Sequence, residues 1–257
     1  MADTSAAVAF EWTKIRTLRS TVWTLALFSV SSVGIAFLFG YVMRGEYADM
    51  GQAARESFDP VASGFSGLKL GMIAIVVFAV LAVCSEYSTG TIASSLTAVP
   101  RRGVLYTAKM LTGTLTAFAV SVVVVIVSFF AAQLALGSPA GVSVTDDGVL
   151  RAMLGAVLYM TLICAFSMGI ASVLRSSALT MGILVPLFFM ISTILNSIPG
   201  VQKVAQFLPD VAGGLMLRSK PPQGDTVLTA WSGLAVLVAW VVVAVTAGYL
   251  AMRRRDA

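Results

Sequence analysis

Six apolar stretches, each long enough to cross a bilayer, constrain this chain more than anything else in it. They run at about Val22–Val42, Gly67–Ser85, Leu115–Leu136, Leu150–Leu174, Ala178–Ile198 and Leu228–Leu250. An α-helix rises ~1.5 Å per residue, so about 20 residues cover the ~30 Å hydrocarbon core. Backbone N–H and C=O groups in lipid must be satisfied within the segment, which for such stretches means helix. Composition agrees, with 58% of the 257 residues hydrophobic and 11% charged, against roughly 25% charged in a soluble domain. The chain therefore reads as an all-α membrane protein with six transmembrane helices in a single domain over residues 1–257. The first stretch exceeds the ~7–15-residue core of a cleavable signal peptide and follows a mostly polar segment, so it reads as a retained span.

Charge orients the bundle. Six crossings leave both termini on one side. That side carries Lys14, Arg16, Arg19, Arg101, Arg102, Lys109, Arg175, Arg253, Arg254 and Arg255, offset by Asp3, Glu11, Glu86 and Asp256. The other side carries Arg44, Arg55, Lys69, Arg151, Lys203, Arg218 and Lys220, with the remaining eight of the 12 acids. The cationic excess places both termini in the cytoplasm. The overall charge of +5 is then a topological signal, and no nucleic-acid partner is expected.

Residues 5–20 contain no proline or glycine and place Val8, Trp12, Ile15 and Leu18 at helical spacing. An interfacial helix leading into the first span is expected, with Lys14, Arg16 and Arg19 supplying cations. Glu11 and Phe10 interrupt its amphipathic face. The alternative is a disordered basic tail.

The most patterned connection is residues 86–109, on the cytoplasmic side. Glu86 closes an apolar run and Gly90 allows a turn. Thr91 to Leu96, with Ile92 between them, has the length of a short helix with one apolar side, which Pro100 stops. Arg101, Arg102 and Lys109 follow at the mouth of the third span. No helix breaker occurs between Val104 and Thr112, so that span could project from the membrane as one helix, with Lys109 in headgroups or water. Such a loop fits a docking element for a soluble partner; the alternative is an ordinary basic connector.

On the opposite side, residues 199–227 are punctuated by Pro199, Pro209, Pro221 and Pro222 and read as one or two short interfacial or re-entrant helices. Gln133, Asn196 and Lys69 lie near outer span ends, where interface anchoring is the ordinary reading and substrate contact the sharper one. Pro186, midway along the fifth span, should kink it, either as an irregularity or as a gating hinge. Small residues at four-residue spacing, Gly67/Gly71, Gly113/Ala117 and Ala165/Gly169, would allow helices to approach closely.

Several chemistries are disfavoured. His is absent, and the two cysteines, Cys84 and Cys164, lie far apart in apolar segments, so no metal site or Ser–His pair is expected. No phosphate-binding loop of the form Gly-x-x-x-x-Gly-Lys-[Ser/Thr] is present, so ATP is not expected to bind here in that way. No span buries Asp, Glu or His at mid-depth, which disfavours proton coupling through a carboxylate.

With these features assembled, the chain resembles, over nearly its whole length, the permease subunits of bacterial ABC type-2 exporters. The resemblance rests on Glu86, Gly90-Thr91, Leu96, Pro100, Arg101-Arg102 and Lys109, on Glu11-Trp12-Thr13-Lys14-Ile15-Arg16 near the start, and on Phe207-Leu208-Pro209 in the outer connection. It departs at Ala93-Ser94-Ser95, where many members carry an acid, which bears on subfamily and substrate. The resemblance implies a coupling helix after the second span that docks on a separate ATPase subunit. It also implies two such ATPases holding the ATP and magnesium, a second permease as homo- or heterodimer partner, and a bacterial inner membrane. The function implied is outward transport of an amphipathic or hydrophobic substrate, such as a drug, peptide antibiotic or lipid, by alternating access. The competing reading is a non-transporting membrane scaffold or sensor that recruits a cytosolic partner.

Overall fold

The computed structural model describes residues 2–88, 90–91, 101–198, 200–220 and 226–254. Among them it contains helices and no strand. Six helices are long and apolar enough to cross a membrane. They are α2 (Arg19–Asp49), α5 (Ser66–Ser88), α6 (Arg102–Leu136), α7 (Val149–Leu174), a broken fifth span, and α12 (Ala230–Arg254).

The N-terminal helix α1 (Ala2–Thr17) is divided from α2 by Leu18, whose extended backbone (φ −74°, ψ 119°) ends one helix before the next begins. Its inward stripe differs from the one expected. Ala7, Glu11 and Ile15, one turn apart, are buried, whereas Trp12 and Leu18 are exposed. The reason is that α1 packs against α6. A helix lying between protein and membrane has two faces to satisfy, and the large apolar residues take the outer one.

α6 runs unbroken for 35 residues, longer than the expected 115–136 and, at ~1.5 Å per residue, longer than the ~30 Å bilayer core requires. It begins after Arg101, which is extended (φ −81°, ψ 93°), and ends at Gly137. Gly137 has φ 64°, a conformation that glycine alone adopts without strain.

α5, α6 and α7 form the centre. α2 packs on α5 and α6, and α12 packs on α7. The most apolar window of α7 is 72% buried, against 22% for α2, the fifth span and α12. Those three helices therefore leave most of their surface for lipid or another chain. Apolar helices in lipid gain little from hydrophobicity alone, so close backbone approach carries the packing. Gly67 and Gly71 on α5 supply it: a Cβ at Gly67 would overlap the Ser32 carbonyl of α2, and one at Gly71 the Ser32 hydroxyl. At the α7–α12 crossing a Cβ on Gly169 would lie 2.7 Å from the Ala244 carbonyl carbon.

The fifth span leaves α7 through a tight turn in which Arg175 takes left-handed φ 57°, so spans four and five form an antiparallel hairpin. It comprises α8 (Ser177–Pro186), a π-turn (Leu187–Ile191) and α9 (Ser192–Ser197). Pro186 has no N–H to donate and crowds the preceding turn. The helix responds by widening just beyond it into i→i+5 bonding.

Short helices gather at the end away from the termini: α3 (Gln52–Ser57), α4 (Pro60–Gly64), α10 (Gln202–Ala205), α11 (Pro209–Gly214) and a 3-10 turn (Leu215–Leu217). Asp59 joins two of these connections. Its carboxylate accepts from the Val61 and Ala62 N–H groups, capping α4, and from Ser219 N, Ser219 Oγ and Lys220 N at 2.7–3.0 Å. Trp240 of α12 donates its indole N–H to the Phe207 carbonyl at 2.9 Å, tying the last span to the same cap.

Candidate functional site

At the end that holds the termini, four charged side chains meet where α1, the end of α5 and the start of α6 come together. Lys109 Nζ lies 2.5 Å from Glu86 Oε1 and 3.0 Å from Glu11 Oε2. Lys14 Nζ lies 2.6 Å from Glu86 Oε1 and 3.3 Å from Glu11 Oε1. Lys109 also reaches the Ala82 carbonyl at 3.4 Å. Glu11, Glu86 and Lys109 are only 3%, 6% and 6% exposed. Among the described residues two carboxylates face two ammoniums here, and an unpaired charge at that depth would cost far more than the network does.

Each helix contributes for a local reason. Ala7, Glu11 and Ile15 form the face of α1 that meets α6, so Glu11 has no route to water. Glu86 is in the last turn of α5, and Lys109 lies two turns into α6. Lys109 is thus buried between helices and does not stand in headgroups or water. The unbroken α6 carries it beside α1, where two acids neutralise it. Lys109 and Lys14 both contact Glu86. Sequence reasoning misses Glu11 and Lys14 as members of the cluster, because it places α1 in the membrane interface and not against another helix. An acid on the buried stripe of a helix was the available signal.

The cluster brackets the patterned connection. Gly90 turns the chain after α5 with φ 70°, and Thr91 follows in an exposed turn. Arg101 is exposed and Arg102 half-buried at the start of α6. Ile92, Leu96 and Pro100, and with them the expected short helix, lie outside the described residues. Further contacts fix the surrounding frame. Tyr106 donates to the Val245 carbonyl at 2.8 Å, and Arg175 to the Ala251 carbonyl at 3.1 Å. α12 is thereby bound to α6 and to the turn between spans four and five.

The outer candidates fall in different places. Gln133 is half-buried, reaching the Pro60 carbonyl at 3.4 Å and accepting from Val142 N–H at 2.9 Å, so it joins connections. Asn196 and Lys69 line a cavity of about 500 Å³ that also includes Asp210 and Ser192. Pro186 and the π-turn after it do not line that cavity; the fifth span reaches it through Ser192, Thr193, Asn196 and Ser197 of α9. Asp210, which nothing in the sequence singled out, is held 2.7 Å from Ser192 Oγ. Among the described residues no cluster of His, Cys, Asp and Glu is arranged to hold a metal ion.

A search among curated proteins gives no match. The family described as ABC-2 family transporter protein matches residues 7–257, which takes in most of α1, all six spans and the connections between them. The chain belongs to this ABC-2 transporter family and is a multi-pass permease subunit of an ABC transporter, whose ATPase is a separate subunit.

Proposed function

We propose that this permease exports an amphipathic or hydrophobic substrate across a bacterial inner membrane by alternating access. Both termini and the 86–109 connection face the cytoplasm, as their cationic excess requires. Two permeases, as a homo- or heterodimer, work with two ATPase subunits that hold the ATP and magnesium. This chain binds no nucleotide of its own. The Thr91–Leu96 segment docks on the ATPase, with Ile92 and Leu96 buried in the partner.

One observation carries the reading: the buried Glu11–Lys14–Glu86–Lys109 cluster welds α1, α5 and α6 together where the docking segment leaves and re-enters the bundle. A push on that segment would move three helices together. α6, projecting beyond the bilayer core, would carry the displacement across the membrane as a lever. The test is reconstitution of the permease with its ATPase in proteoliposomes and measurement of ATP-dependent movement of a fluorescent amphiphile. Transport with the complex and none with either part alone is expected. ATP hydrolysis by the contaminant-free permease would contradict the division of labour. A permease that holds the ATPase yet moves no amphiphile would contradict the assignment of substrate class.

A further inference from the structure

The cavity at the end away from the termini is roofed by α10 and α11 and walled by α5, α7 and α9. Its volume of about 500 Å³ falls within the ~300–1,000 Å³ typical of small-molecule sites. Its charges have both signs and come from different elements: Asp210 from α11, Lys69 from α5, and Arg218 just after the 3-10 turn. Tyr159 of α7 is the other titratable group facing it, and Met72 and Leu215 add apolar wall. Ser192 steadies Asp210, its hydroxyl lying 2.7 Å from Asp210 Oδ1 and 2.8 Å from the Leu187 carbonyl of the π-turn.

We infer that this cavity binds the head of a zwitterionic amphiphile, its ammonium at Asp210, its anionic group at Lys69 and Arg218, and its first tail carbons along Met72 and Leu215. A simple cation would meet two like charges here, and a simple anion would meet Asp210. A head with both signs meets a counter-charge at each end, which neither a simple cation nor a simple anion does, and this matters most in a partly desolvated site. Burial pushes the Asp210 carboxyl up to about 6, against the lowering influence of Ser192, its backbone bonds and the Lys69 cation. It is therefore ionised at neutral pH and loses its charge as the medium acidifies. The inference rests on the transport reading and names the substrate class within it.

Gly214 offers a direct way to fill the site. It lines the cavity, its backbone (φ −61°, ψ −20°) accepts any L-residue, and an added Cβ would meet nothing within 4 Å. The experiment measures equilibrium binding of radiolabelled dodecylphosphoethanolamine to the permease in phosphatidylglycerol nanodiscs, with empty discs as background. Saturable binding is expected, at least tenfold weaker for dodecylamine and for dodecyl phosphate. Asp210→Asn, which keeps the Ser192 hydrogen bond, should weaken binding at least tenfold, and lowering the pH from 7 to 5 should weaken it by up to about tenfold. Gly214→Leu should abolish binding, while Gly214→Ala retains it and shows that the backbone tolerates substitution. Absence of saturable binding would overturn the site. So would binding that Asp210→Asn and Gly214→Leu both leave unchanged, or equal affinity for either half-ligand. ATPase co-purification, measured on the same preparations, separates the two failures. A permease that retains its ATPase but binds no probe loses the site and keeps the transport reading; one that binds the probe but recruits no ATPase does the reverse.

Discussion

At Lys109 three helices depend on one side chain. Replacing it with methionine keeps the length and leaves Glu11 and Glu86, among the described residues, with the part-exposed Lys14 as their cation. Breaking a buried pair from one side typically costs ~3–5 kcal/mol, so Lys109→Met should lower the thermal unfolding temperature markedly in detergent. Replacing Lys109 by methionine together with Glu11 and Glu86 by glutamine should recover most of that loss, because no buried acid is then stranded. If Lys109→Met unfolds at the wild-type temperature, the cluster does not hold the helices together. At the other end, Asp59 offers a contrast. Burial works to raise its pKa, and donors from Lys220, Ala62 and Ser219 outweigh this, holding the carboxyl below its ordinary value of 3.8. A depressed acid stabilises the fold above its unfolded pKa and loses that contribution as pH falls through the folded value. The tether should therefore hold at pH 5–7 and weaken only in stronger acid. Asp59→Ala should cost about 1.5–3 kcal/mol, the range for hydrogen bonds to a charged group. Its mark would be faster amide exchange at Ser219 and Lys220, with exchange near Glu86 unchanged.

Among the elements, the α2–α5 crossing is set by two glycines that the four-residue spacing of small residues had marked. Gly67→Leu would drive a side chain into the Ser32 backbone. Overpacking costs typically ~1–3 kcal/mol, and here the obstacle is backbone, which cannot rotate away. The expected result is a loosened first span, seen as increased protease sensitivity near Leu18 with the other spans unchanged; unaltered proteolysis would show that α2 tolerates a wider spacing. The spans were legible because apolar length declares itself in any context. The stripe of α1 was not, since Ala7, Glu11 and Ile15 face inward only because α6 lies beside them. No periodicity says which of two faces meets protein and which meets lipid. Pro186 was legible as a break, but its form as a π-turn depends on neighbours packing around the Leu187–Ile191 segment.

For the whole molecule, the sequence carried the architecture, and it marked Glu86, Gly90 and Lys109 at the two ends of the 86–109 connection. It did not carry the cluster itself, whose members span residues 11 to 109, nor the outer cavity, which exists only once α5, α7, α9 and α11 converge. Orientation can be tested at this scale by cysteine labelling in intact cells. A probe placed after Arg255 should be protected and one near Gln223 labelled, and the reverse pattern would place the docking loop outside. The central claim is that the 86–109 connection transmits ATPase movement into the bundle. It is tested most directly by comparing wild type with Leu96→Asp for membrane expression, ATPase co-purification and ATP-driven transport. Normal expression with loss of both the ATPase and transport is predicted. Full transport by Leu96→Asp at normal expression would contradict the claim and leave the loop a basic connector.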